Sequence, residues 1–135
     1  MLTVIRGAGD IATGAALRLW RSGIQVVMTD LPAPTAIRRT VCFSQAIVLG
    51  RTTVEDVTAA RAETAEQALA LLRQGVIPVL PDPEGKCVPA LGPDALVDAI
   101  LAKRNLGTRI TDAPAVVGVG PGFTAGEDCH AVVET

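Results

Sequence analysis

The chain has 135 residues, 49% hydrophobic and only 2% aromatic, with 12 basic against 14 acidic residues and a formal charge of −2. That length and apolar fraction fit one domain of about 100–150 residues and exclude intrinsic disorder. Balanced charge and three aromatics (Trp20, Phe43, Phe123) exclude a nucleic-acid surface, and a spanning helix fails because the longest uncharged stretch, residues 113–126, is broken by prolines and glycines.

Leu2-Thr3-Val4-Ile5 reads as a strand that stops at glycine, with no basic leader or cleavage-site pattern before it, so the expected location is cytoplasmic. From Ile11 to Trp20 apolar residues recur at helical spacing. Between them stands Gly7-Ala8-Gly9-Asp10-Ile11-Ala12, which matches the G-x-G-x-x-G/A turn of dinucleotide-binding folds. Each small residue has its own reason there: Gly7 for the tight turn, Gly9 for approach of a pyrophosphate to the backbone, Ala12 for helix–sheet packing. The helix N-terminus then faces the phosphates. A second strand, residues 24–28, ends at Thr29-Asp30, and Asp30 follows Gly9 by 21 positions, where a carboxylate accepts from ribose hydroxyls. Asp30 favours an unphosphorylated ribose, as in NAD. Arg38 and Arg39 lie where they can meet a 2′-phosphate, as in NADP, or stand as a solvated surface pair.

Residues 43–49 read as a strand ended by Gly50, and residues 54–60 stay open between helix and strand. Residues 64–73 form a predicted helix capped by Thr64 and stopped at Gly75. Residues 76–80 read as a strand whose Pro78 suggests an edge or irregular position, and residues 81–86 as a loop. Residues 93–100 suit a helix or a strand, with the strand favoured. Residues 115–119 form a clear strand, followed by the loop 120–126, and residues 130–133 return as an apolar segment. The fold class is therefore α/β: a Rossmann-like three-layer domain with a mostly parallel sheet. Its ligand is expected beyond the carboxyl ends of the strands. There Lys103, Arg104 and Asn105 offer anion donors, and Gly120, Gly122 and Thr124 belong to a loop that suits an anion nest; both segments read equally well as plain loops.

Cys42, Cys87 and Cys129 lie more than 40 residues apart, neither a disulfide framework nor a zinc pattern, and read as small hydrophobes. His130 beside Cys129 reads as a packed or hydrogen-bonded residue, with a ligand role as the lesser alternative. No metal site is expected.

Taken with Arg6–Gly14, Pro34–Arg39, Ala102–Thr108, Gly120–Gly126 and the ending His130–Thr135, the chain resembles the N-terminal part of the YqeB-type accessory proteins of selenium-dependent molybdenum hydroxylase systems, and more distantly the XdhC-type factors. The resemblance implies a maturation role with no assigned catalytic residue, and a protein about twice this length, so that the 135 residues form one nucleotide-binding domain of it. The implied ligand is NAD or NADP, molybdenum cofactor or another nucleotide, and the implied partner a molybdenum hydroxylase, with homo-oligomers possible. Two other functions remain open. One is a small NAD-dependent oxidoreductase, for which no Tyr-x-x-x-Lys pair or similar acid/base set is present. The other is an interaction module with an empty site.

Overall fold

The computed structural model describes residues 1–34 and 42–134. Along these residues run β1 (Leu2–Arg6), α1 (Asp10–Arg21), β2 (Gln25–Thr29), α2 (Gln45–Leu49), β3 (Arg51–Val54), β4 (Val57–Arg61), α3 (Ala65–Arg73), β5 (Ile77–Leu80), α4 (Val88–Leu91), β6 (Ala95–Asp98), β7 (Ala115–Val119) and β8 (Ala131–Val133). All eight strands join one sheet in the order β3-β4-β5-β2-β1-β6-β7-β8, and only the β3–β4 pair is antiparallel. From β5 onward this is the 3-2-1-4-5-6 order of the doubly wound dinucleotide fold, with a hairpin added beyond its third strand. Strand order reverses between β1 and β6, whose Arg6 and Asp98 stand opposite each other in register.

Burial on both faces explains why the central strands are near-continuous aliphatic runs. Ile5, Val26, Met28 and Val79 pack under Ala12 and Ala16 of α1 and Ala46 and Ile47 of α2. On the opposite face Val4, Val27 and Leu96 meet Ala68 and Leu72 of α3 and Val88 and Leu91 of α4. The Rossmann-like three-layer expectation therefore holds. Among the described residues no helix lies between β6 and β7 or between β7 and β8. Phe123 takes part of that role: its ring folds back over Gly118 of β7, where a Cβ would stand 2.4 Å from the ring.

Two expectations need correction. Residues 43–49 are not a strand. Phe43, Ala46 and Ile47 are buried at helical spacing while Val48 and Leu49 face solvent, so a short helix satisfies the burial that a strand would not. Pro78 is not at an edge either, since β5 lies between β4 and β2. The Leu80 carbonyl faces β2, accepting from Asp30 N–H, so by strand alternation the imide nitrogen of Pro78 also faces β2. Pairing with β2 begins only at Met28 opposite Val79, and no ladder bond is lost. Residues 54–60, left open by periodicity, are the end of β3 and most of β4.

Helix α3 follows its signals: Thr64 accepts from Gln67 N–H at 3.1 Å and Gln67 reaches back to Glu63 N–H at 2.8 Å. Helix α1 carries Gly14 in its interior, exposed and with nothing within 4 Å of an added Cβ. Gly14→Ala is expected to raise stability by about 0.5–1 kcal/mol, because alanine loses less backbone entropy in a helix. Urea denaturation should show a higher midpoint at unchanged slope.

Candidate functional site

Strand β1 ends at Arg6, and Gly7 turns the chain at φ +104° so that Ala8 and Gly9 lead directly into α1. The turn is held from several sides. Gly7 N–H donates to Thr29 O at 2.7 Å, Ala8 N–H to Asp30 Oδ2 at 3.1 Å, and Ala8 O accepts from Ser44 N–H at 2.9 Å. Thr13 Oγ1 donates to the same carbonyl and accepts from Phe43 N–H, which docks the segment before α2 onto the turn. A cavity of about 650 Å³ opens above this turn, lined by residues 7–12, by Thr29, Asp30 and Leu31, by Pro83, by residues 99–102 and by Leu106. It thus lies at the carboxyl edge of the sheet, where strand order reverses.

Gly7 and Gly9 differ in what they need. A Cβ at Gly7 would meet Ala99 O at 2.7 Å, so the fold itself requires glycine there. Gly9 has φ −78° and ψ −160°, ordinary extended backbone, and an added Cβ would have nothing within 4 Å. It is also the N-cap of α1, and as glycine it supplies no side-chain cap. Serine, aspartate or asparagine at an N-cap stabilises a helix by more than glycine does. Packing and backbone geometry both permit those residues, yet the chain keeps the N-cap bare. The first-turn residues Asp10, Ile11 and Ala12 line the cavity, at the end of a 12-residue helix where the amides have no intrahelical acceptor of their own.

Asp30 is half-buried beside the turn, its Oδ1 accepting from Leu31 N–H at 2.7 Å and its Oδ2 from Ala8 N–H at 3.1 Å. Each carboxylate oxygen has a second lone pair for a hydroxyl. Burial pushes the carboxyl above its ordinary range, and the two N–H bonds pull it part of the way back. With the folded value above the unfolded one, the fold prefers the protonated group. The stability this gives is full below the unfolded value and is lost as pH rises through the folded one. Asp30→Asn should remove that slope from the pH dependence of unfolding, and should weaken a ribonucleotide roughly tenfold, about 1.5 kcal/mol for a hydrogen bond to a charged group. Urea midpoints from pH 4 to 7 and calorimetric titration would test the two effects separately.

Of the residues expected at the site, Gly7, Ala8, Gly9, Asp10, Ile11, Ala12 and Asp30 line the cavity together. Arg38 and Arg39 lie outside the described residues. Lys103 and Arg104 are exposed and are not among the lining residues, although Ala102 and Leu106 are. Asn105 is used in its own turn: Nδ2 donates to Thr108 O, and Oδ1 accepts from Gly107 and Thr108 N–H. Gly120, Gly122 and Thr124 also lie off the cavity. Gly120 N–H donates to Val133 O and Thr124 N–H to Asp128 Oδ2, so these amides are committed within the fold.

A buried cluster that sequence reasoning missed sits beneath the cavity. Arg6 is 2% exposed, and its guanidinium donates to Thr108 Oγ1 at 2.6 Å, Pro83 O at 2.8 Å and Leu106 O at 3.2 Å. Thr108 Oγ1 in turn donates to Asp98 Oδ2 at 2.6 Å, while Arg6 and Asp98 stand 3.8 Å apart. Arg6 therefore pins to β1 two loops whose Pro83 and Leu106 line the site. The available signal was a charge closing each of two buried strands, Ile5-Arg6 and Val97-Asp98.

The three cysteines are buried and not joined in disulfides, and burial beside Asp82 pushes the Cys87 thiol up to about 12. His130, just before β8, is tied to β7: its Nδ1 accepts from Val116 N–H at 2.9 Å and its backbone N–H donates to Val116 O. Among the described residues no group of histidine, cysteine and carboxylates is placed to hold a metal, and no helix is long and apolar enough to cross a membrane.

The chain is 54% identical over 134 residues to a protein of Escherichia coli (strain K12) described as "Uncharacterized protein YqeB". The match covers 99% of this chain and supports the YqeB family. It spans 25% of the relative, so that protein is about four times as long as this chain rather than about twice. No family model matches, and no solved structure does.

Proposed function

We propose that this YqeB-like chain is a nucleotide-binding domain, gripping the phosphates of a ribonucleotide at the turn Gly7–Ala12 and its ribose at Asp30. The bare N-cap at Gly9 carries this reading: neither packing nor φ requires glycine, whereas close approach of a phosphate to the backbone does. Apart from Asp10 and Asp30, the described residues lining the cavity have no titratable side chain, which favours holding a ligand over transforming one. Asp30 favours a free 2′-hydroxyl over a 2′-phosphate, and so NAD over NADP. The family resemblance supplies the setting: an accessory role in maturing a selenium-dependent molybdenum hydroxylase, with that enzyme as partner of the whole protein, and molybdenum cofactor among the phosphate-bearing ligands.

Isothermal titration with nucleoside diphosphates, NAD and NADP tests the binding. At least one nucleotide should bind with a micromolar to low-millimolar constant, and NADP more weakly than NAD. Failure of every nucleotide at millimolar concentration would sink the proposal.

A further inference from the structure

We infer that the site takes a single nucleoside diphosphate and leaves the second nucleoside of a dinucleotide without a seat; this rests on the nucleotide reading of the same cavity. A dinucleotide fold consists of two mononucleotide-binding halves, the first over the carboxyl ends of β1, β2 and β5 here, the second over those of β6, β7 and β8. The first half is intact: turn, helix N-terminus and Asp30 surround one cavity.

The second half is filled by the chain itself. The loop leaving β6 folds across the end of β7, with Leu101 at φ +61° and Lys103 at φ +65°, both left-handed without being glycine. Such geometry in a bulky residue persists only where the surroundings over-determine it. The surroundings are visible: a Cβ at Gly120 would meet Leu101 Cδ2 at 2.8 Å, and one at Gly122 would meet Arg104 Cα at 2.5 Å. The loop thus rests directly on the loop after β7 through the Leu101 side chain and the Arg104 backbone, and among the described residues none beyond Leu106 lines the cavity. The anion donors of the second half are missing as well. Among the described residues no helix follows β6 or β7 to point an N-terminus at a phosphate, and Gly120 N–H is bonded to Val133 O.

Calorimetric titration of the protein with ADP, GDP, CDP and UDP, and with NAD and FAD, measures whether a second nucleoside adds affinity. The expected result is that a nucleoside diphosphate binds and that NAD and FAD bind less than tenfold tighter than ADP. A dinucleotide gaining tenfold or more over ADP overturns the single-nucleotide site while leaving nucleotide binding standing. Absence of binding by every member removes both readings. Saturation-transfer NMR with NAD gives an independent readout: the adenine and adenosine-ribose protons should receive saturation and the nicotinamide protons should not. Equal saturation of both rings contradicts the inference.

Discussion

Asp98→Ala is expected to destabilise the domain by about 3–5 kcal/mol, the usual consequence of removing one partner of a buried ion pair. Loss of the carboxylate leaves the Arg6 guanidinium 2% exposed, with no compensating charge, and leaves the Thr108 hydroxyl without the acceptor it reaches at 2.6 Å. Since domains of this kind are stable by about 5–15 kcal/mol, the loss should appear as a large fall in the urea midpoint. The double substitution Arg6→Met with Asp98→Leu should recover most of the loss, because neither charge then remains buried alone. Recovery of stability without recovery of the site is the informative pattern: Arg6 holds the loops carrying Pro83 and Leu106, and the double variant should fold yet bind nucleotide more weakly. A single-variant loss below about 1 kcal/mol would show that water reaches the pair.

The two glycines of the turn should separate cleanly when each is replaced. Gly7→Ala is expected to destabilise by roughly 2–4 kcal/mol, combining an unfavourable positive φ with displacement of a backbone atom. The added methyl would lie 2.7 Å from Ala99 O, and backbone is the neighbour least able to move. Gly9→Asp places its side chain in open space at an N-cap, where aspartate is favoured, so thermal stability should be unchanged or a few tenths of a kcal/mol higher. Thermal unfolding of both variants beside the parent distinguishes a fold-required glycine from one that the fold does not need.

Most of the frame was legible in the amino-acid order, because β-branched runs, a glycine turn and amphipathic helices, one of them capped by Thr64, are local signals. Leu2–Arg6, Gln25–Thr29 and Ala115–Val119 formed strands where alternation with helices placed them, and the turn residues converged on one cavity with Asp30. What stayed hidden depends on partners far along the chain. Residues 43–49 are as apolar as a buried strand, and their helix is placed by distant partners: Ser44 and Phe43 bond to the glycine turn and Thr13, and α2 packs on β3, β4 and β5. Pro78 is an interior residue because the particular ladder position it occupies needs no N–H. Arg6 and Asp98 are separated by 92 positions, and their meeting follows from the pairing of β1 with β6. Lys103, Arg104 and the loop 120–126 carry suitable donors, but the two loops pack on each other instead of opening toward the cavity.

The most direct measurement is nucleotide titration of Gly9→Asp against the parent protein, with thermal unfolding of both recorded alongside. The expected result is a variant that folds at least as well as the parent and has lost binding by a hundredfold or more, roughly 3 kcal/mol, because the new carboxylate occupies the phosphate position and repels it. A variant that folds normally and binds nucleotide as tightly as the parent would contradict a phosphate-binding role for this turn.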